Sequence, residues 1–315
     1  RGMCALWGKD SLSRSVIAVP PLARKEDGTI CPAENERIVG RLEEGGVRTL
    51  LYGGNAVLYH VSPKEYPELV SLLRGIGERE TVVIPSVGPG FGMMMEQAKI
   101  LREFDFPTAM VLPTRDMASR DGVATGIRKL AESFGKSVVV YLKFEEYLDL
   151  DNLRSLVDDG VVSWIKYAVV RDKPDEDPYL RSLVDGIGPE GIVSGMGEQP
   201  AVVHLRDFGL SGFTSGCVCV APASSMAMLR SIQSGDYSRA ESIREDFRPL
   251  EDLRNDIHPV TVLHEAVQLA GIAETGPMLP LLEPLPETSR SSTRVAATEL
   301  ILTEEVFAKS SKGNS

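Results

Sequence analysis

The sequence predicts an α/β protein: a (β/α)8 TIM barrel with a C-terminal three-helix appendage. Three observations lead there. Short runs rich in Val, Ile and aromatic residues recur through the first two-thirds of the chain, each bounded by Gly, Pro or polar clusters. Between them lie stretches with apolar residues at helical spacing. Beyond about residue 236 the strand character stops and only helical patterning continues. Eight consecutive strand-then-helix units point to a closed parallel barrel. A doubly wound sheet is the alternative, but it seldom needs eight units in a row. The barrel is assigned to residues 13–235 and the helical region to 236–308, with terminal segments 1–12 and 309–315. The polar tail 309–315 reads as disordered.

The first strand is expected over 15–20 (Ser-Val-Ile-Ala-Val-Pro), after a polar lead-in. The helix over 33–44 carries Ile38 and Leu42 on one face and stops at Gly45-Gly46. Strand two, 48–52, ends in Gly53-Gly54, and Ser62-Pro63-Lys64-Glu65 reads as a helix start with Ser at N-cap, Pro at N1 and Glu at N3. Strand three over 81–85 precedes a helix over 93–104, and strand four over 108–112 precedes one over 123–134. Strand five over 137–141 precedes a short helix over 151–158, and strand six spans 161–170. Strands seven and eight fall at 191–195 and 211–214. The appendage reads as helices over 236–254, 259–271 and 289–307, interrupted by a proline-rich linker over 276–286.

Composition narrows the function. A net charge of −11 and a pI near 5.0 argue against nucleic-acid and anionic-membrane partners. Cys4, Cys31, Cys217 and Cys219 have neither CxxC spacing nor disulfide-rich density, which fits a reduced, cytoplasmic protein. No apolar run approaches the roughly 18 residues of a membrane span, and no signal peptide is read at the start. His60, His204, His258 and His264 are scattered without ligand spacing and read as surface or helix residues, so no metal is expected.

In a barrel of this type the chemistry sits at the C-terminal ends of the strands. The decisive strand is the sixth, where alternation puts Val162, Trp164, Lys166 and Ala168 on one face. An ammonium group among such neighbours reaches water, finds a carboxylate or loses its proton. Burial lowers its pKa and turns the amine into a nucleophile near neutral pH, so Lys166 is a candidate Schiff-base residue. The alternative is a strand-end lysine snorkelling to the surface. Tyr141 ends the neighbouring strand with compatible parity and is a candidate proton relay, or else a core tyrosine at the rim. Gly53-Gly54-Asn55, Thr114-Arg115 and Ser194-Gly195 end other strands and are candidate substrate-binding residues, the glycine turn through its backbone N–H groups. Lys143 shares the parity of Tyr141 but lies in a charged run and reads as solvated. Gly88-Pro89-Gly90-Phe91-Gly92 lacks the lysine of a phosphate loop and reads as a turn.

Several of these stretches recur together in a known pattern. They are Ala18-Val19-Pro20-Pro21 with Asp27-Gly28, Gly53-Gly54-Asn55-Ala56-Val57 followed by Val61-Ser62-Pro63-Lys64-Glu65, and Leu112-Pro113. Val140-Tyr141, Trp164-Ile165-Lys166, Ser194-Gly195 and Pro277-Met278-Leu279-Pro280-Leu281 complete it. On these residues the chain resembles the dihydrodipicolinate synthase/N-acetylneuraminate lyase family of class I aldolases, from Val16 to about Leu285. The resemblance implies that Lys166 forms an imine with a 2-oxo acid, that Tyr141 relays protons, and that the loop after strand two holds a carboxylate. It also implies a homo-oligomer, tetramer or dimer, and no cofactor beyond the covalent imine. The departures are specific. Gly54 and Asn55 stand where the family has two threonines, and Ala56-Val57 replace a glycine and a glutamate. Thr114-Arg115 follow Pro113 in place of two tyrosines, and Leu142 and Phe144 replace an asparagine and a proline. No arginine lies in residues 143–150 to bind a dicarboxylic aldehyde, so dihydrodipicolinate synthesis itself is not expected.

The expected function is therefore a lyase, aldolase or hydro-lyase, acting on a small-molecule 2-oxo acid or related carbonyl compound. Arg115 is a candidate for a second anionic group. Two alternatives stay open: a barrel that keeps the lysine but serves as a ligand-binding or regulatory protein, and an enzyme whose carbonyl substrate lacks a carboxylate.

Overall fold

The computed structural model describes residues 2–8, 10–77 and 79–312. β1 (Ile17–Ala18), β2 (Thr49–Leu51), β3, β4 (Met110–Val111), β5 (Val138–Leu142), β6 (Val162–Tyr167), β7 (Ile192–Ser194) and β8 (Thr214–Ser215) form the barrel wall. β3 comes in two pieces, Val82–Ile84 and Ser86–Val87, because Pro85 between them has no N–H to give the ladder. The first piece pairs with β2 and the second with β4, so the wall continues across the break. All pairings between strands are parallel. β1 pairs with β8 through Ile17–Thr214, and a parallel bridge between Ser194 and Phe213 joins β7 to β8, closing the ring. Parallel strands covered by helices are buried on both faces, and Val82–Ile84 and Ile192–Ser194 are buried throughout.

Helices alternate with the strands as expected. Ser119, Asp149 and Asp177 cap the helices Arg120–Phe134, Leu150–Asp158 and Pro178–Ile187, each accepting from the N–H three residues on. Ser62 accepts from the Glu65 N–H at 3.1 Å, yet the helix begins only at Tyr66. The expected cap therefore closes a separate turn just before the helix. Of the stretch read as a turn, Pro89 and Gly90 form a bend, while Phe91 and Gly92 already belong to the helix Phe91–Leu101.

Two expectations about the termini are corrected. The polar lead-in contains a short helix, Met3–Leu6, and Met3 is fully buried with its Sδ 3.2 Å from the Val83 N–H. The tail expected to be disordered is helical through Lys312, as the end of helix Glu287–Lys312, while residues 313–315 lie outside the described residues. Polar composition misled here because one face of that helix, including Ala297 and Leu300, is buried.

Helices Tyr237–Asp256, Pro259–Leu269 and Glu287–Lys312 pack on one another and on the last barrel helix, Pro222–Gln233. Leu250, Leu263 and Leu300 belong to the same apolar cluster as the strands. Helix Pro222–Gln233 has no side-chain cap from its own N-cap residue, Ala221. Glu304, buried on the last helix, supplies it by accepting from Ala223 N at 2.7 Å and Ser224 N at 2.9 Å. Substituting Glu304→Ala orphans two donors in a dry interface and should cost ~2–3 kcal/mol, read from the urea midpoint at unchanged m-value.

Candidate active site

Lys166 and Tyr141 are direct partners in the β5–β6 ladder, one residue from the C-terminal end of each strand. The Lys166 side chain is only 5% exposed, and its Nζ lies 4.3 Å from the centre of the Tyr141 ring. Burial, reinforced by the positive charges of Lys143 and Arg254, lowers the amine to about 7. A neutral amine is thus available at ordinary pH without any general base having to strip it first. The snorkelling alternative is excluded, since no carboxylate pairs with Lys166 among the described residues and its side chain does not reach bulk water. Tyr141 is half-buried; burial raises its phenol to about 12, with Arg254 pulling the other way.

Gly195 makes room for the lysine. A Cβ there would lie 2.8 Å from Lys166 Cγ and 2.9 Å from the Tyr167 carbonyl oxygen, which also accepts from the Gly195 N–H. Ser194 does not belong to this surface. It pairs in register with Tyr167, and its hydroxyl contacts His204 Nδ1 at 2.7 Å on the helix side of the wall. Burial pushes His204 down to about 4, so that contact is made by a neutral ring. Ser194 is accordingly corrected from a substrate-binding residue to part of the wall's outer packing, because alternation along β7 turns it away from Lys166.

The loop after β2 is partly as expected. Gly53 is buried, and a Cβ there would press on Met110 and Ser86. Gly54 lies open beside the Tyr59 ring. Among the described residues the N–H groups of Gly54, Asn55 and Ala56 meet no acceptor. The Asn55 carboxamide, however, is already engaged: Nδ2 donates to the Val19 carbonyl at 2.7 Å and Oδ1 accepts from Arg254 at 3.3 Å. It is a tether between β1, this loop and the C-terminal helices, and only the backbone of the loop is left for a ligand. Thr114 donates to the Asp116 carbonyl, and Arg115 is exposed with its guanidinium 4.0 Å from the Phe144 ring centre. Arg115 and Lys143 depress neighbouring ammonium groups, Arg115 acting on Lys143 and Lys143 on Lys166. Lys143 is exposed, as its charged run suggested, but it faces the mouth of the barrel.

Three groups were not read from the sequence. Tyr59 lies near Tyr141, and burial followed by that neighbour raises its phenol. Arg254 reaches the mouth from helix Tyr237–Asp256, and its charge acts on both Lys166 and Tyr141. Behind it lie two buried carboxyls, Glu198 and Glu251. The signal was present: Ile243, Phe247, Leu250 and Arg254 form one buried helical stripe, and a charge on such a stripe has to be held by something.

No protein-family model matches the chain. Among curated proteins it is similar to a probable 5-dehydro-4-deoxyglucarate dehydratase of Rhizobium rhizogenes, 22% identical over 252 residues that cover 74% of this chain and 77% of that one. A second, from Streptomyces avermitilis and carrying the same activity in its name, is 21% identical over 296 residues, covering 87% and 90%. Among solved structures, dihydrodipicolinate synthase from Bacillus clausii superposes with a TM-score of 0.79 at 22% identity, covering 93% of this chain and 98% of that one. A catalytic lysine mutant of Ruminococcus gnavus sialic acid aldolase gives a TM-score of 0.79 at 16% identity, covering 94% and 98%. The barrel fold is that of these solved structures, a dihydrodipicolinate synthase and a sialic acid aldolase among them. No helix among the described residues is long and apolar enough to cross a membrane.

The buried carboxyls give a measurable pH signature. Burial, then the neighbouring Glu251 charge, raises Glu198 from 4.5 to about 8. Stability from a raised group is fully present below its unfolded value and is lost as pH rises through the folded one. Between pH 5 and pH 9 the melting temperature of Glu198→Gln, which cannot ionise, should therefore gain ~3–6 °C relative to the unsubstituted chain in calorimetry.

Proposed function

We propose that the chain is a Schiff-base-forming lyase, an aldolase or hydro-lyase divergent within the family it resembles, acting on a 2-oxo acid or related carbonyl compound through Lys166. One observation carries the reading: an unpaired, buried amine at the barrel's C-terminal rim, 4.3 Å from a tyrosine ring. The amine attacks the keto carbon, and the carbinolamine expels its hydroxyl as water to leave an iminium. Tyr141 is the acid and base of these proton transfers, placed beside the nitrogen rather than in solvent. The iminium is an electron sink. In dehydration a proton leaves the adjacent carbon to give an enamine, whose electron pair expels hydroxide, protonated to water, from the next carbon. In aldol cleavage the hydroxyl on that next carbon loses its proton instead, the bond between the two carbons breaks to release an aldehyde, and the iminium takes up the pair as the enamine, which is then protonated. Hydrolysis of the imine frees the product and restores Lys166. The covalent imine is the only cofactor this scheme requires.

Between dehydration and aldol cleavage, the curated relatives favour dehydration. The substrate in their name has a keto group beside one carboxylate, then a methylene, then a carbon bearing a hydroxyl, which is the arrangement the enamine needs to lose water. The open N–H groups of Gly54, Asn55 and Ala56 suit the near carboxylate. Arg115, beside Lys143 at the mouth, suits a second anionic group further out. The same reading takes the protein to be a cytoplasmic homo-oligomer, for which sedimentation is the direct measurement.

A regulatory or ligand-binding barrel is the competing reading, motivated by the loop that keeps no hydroxyl and whose Asn55 side chain is occupied. Borohydride added in the presence of pyruvate and longer 2-oxo acids separates the two. One adduct per chain is expected by intact mass, absent in Lys166→Met, with the rate rising through pH of about 7 as the amine loses its proton. No adduct with any carbonyl compound would sink the lyase reading. Where turnover is found, Tyr141→Phe should lower kcat by ~10²–10³ while leaving the trapped imine in place.

A further inference from the structure

Arg254 comes from outside the barrel yet ends inside its mouth. Its Nε donates to the Pro259 carbonyl at 3.0 Å, and Nη2 donates to Asn55 Oδ1 at 3.3 Å. The wall at the end of β8 is cut away for it, since a Cβ on Gly216 would lie 2.9 Å from Nη1 and 3.0 Å from Nη2. Its ion pair with Glu251 is long, 3.5 Å, and its side chain keeps 10% of its surface open. A guanidinium has five donors in a rigid fork, so the contacts to Pro259, Glu251 and Asn55, with the Cys217 thiol beside it, do not use the whole fork.

The carboxyls behind it explain why the charge is not quenched. Glu198 is fully buried; its Oε1 accepts from Ser215 at 2.6 Å and Ser225 at 2.8 Å. Glu198 Oε2 and Glu251 Oε1 are buried with no donor at all. Burial, then the neighbouring Glu251 charge, raises Glu198 to about 8, which favours its neutral form near pH 7. Glu251 is then the carboxylate that faces the positive charge of Arg254, at 3.5 Å. Burial works against the guanidinium charge, but Glu251 and its neighbours more than offset that, and the group is held above its ordinary range.

We propose that Arg254 binds the carboxylate adjacent to the keto group, in place of the hydroxyls that this loop does not have. The assignment rests on the Lys166 reading and adds to it a specificity-determining residue from the C-terminal helices. The contact with Asn55 Oδ1 sets the fork beside the loop whose Gly54, Asn55 and Ala56 N–H groups meet no acceptor among the described residues. The carboxylate binds there with the keto carbon turned to Lys166. A substrate without that carboxylate forfeits this contact but still reaches the amine.

The test compares borohydride trapping of pyruvate with that of pyruvamide, which has the same ketone and shape but no charge. The unsubstituted chain should reach half-maximal trapping at a pyruvate concentration at least tenfold below that for pyruvamide. In the pair E251Q/R254M, which removes the arginine together with the carboxylate paired to it, that preference should fall at least tenfold, with the half-maximal pyruvamide concentration within about threefold of its original value. R254K, which keeps the charge but not the fork, should retain part of the preference. Loss of Arg254 also raises the Lys166 pKa, but this slows both compounds alike and leaves the ratio untouched. Equal trapping of the two by the unsubstituted chain overturns the assignment, as does a preference unchanged in E251Q/R254M. Adducts with neither compound would instead remove the Schiff-base reading on which it rests.

Discussion

A lysine taken out of water is the constraint from which most of the site follows. An ammonium group held 5% exposed between strands is unstable unless paired, and none of the described carboxylates pairs with Lys166. The fold answers by letting the proton go. Positive charges on Lys143 and Arg254 push in the same direction as burial, which is why the amine falls to about 7 rather than merely being hidden. Everything close to it then has to tolerate an uncharged amine. The Tyr141 ring does so as a flat apolar neighbour with a polar edge, and Gly195 does so by having no side chain.

The same positive charges have a second consequence. The chain as a whole carries −11, yet Lys143, Arg115 and Arg254 all act on the barrel mouth. Fixed cations in a concave, low-dielectric site draw anions in and orient them. One set of residues can therefore do two things under the proposed reading: it lowers the Lys166 pKa by repelling a proton, and it favours a bound anion. When an anion binds, it compensates part of the repulsion that lowered the amine, so substrate charge and lysine protonation are coupled. A neutral carbonyl compound would leave that coupling unused.

How much of this could be read from the sequence varies with how local the cause is. The barrel was legible because period-two strands alternating with helical spacing are local patterns repeated many times. Lys166 and Tyr141 were legible for the same reason: each ends a strong strand, and their pairing follows from counting strands. Ser194 failed through a one-residue parity problem, since a strand as short as Ile192–Ser194 gives alternation little to work with. Asn55 failed differently. Its position was right, but its partner lies 199 residues away on a helix that nothing local ties to the loop. Met3 was missed because burial of a terminal segment depends on a surface elsewhere in the fold, and the last helix, expected over 289–307, was cut short because its final residues, with Lys309 and Ser310 exposed, have the composition of a disordered tail.

The C-terminal helices show why the missed part matters. Read as an appendage, they should only add stability. Instead Glu251 and Arg254 stand one turn apart on a buried stripe and reach β7, β8 and the loop after β2 at once. A charged pair on such a stripe is costly to bury, and replacing it with apolar residues of the same size would often be neutral or better for folding. Its presence therefore argues for a role other than stability. The loop after β2 has lost the hydroxyls and the glutamate that the resemblance leads one to expect, and it is this loop, through Asn55, that Arg254 holds. A loop without hydroxyls on one side of the mouth and a cation reaching it from the other meet at Asn55. The simplest physical account is a transfer of the anion-binding duty from the barrel's own loop to the helices packed outside it.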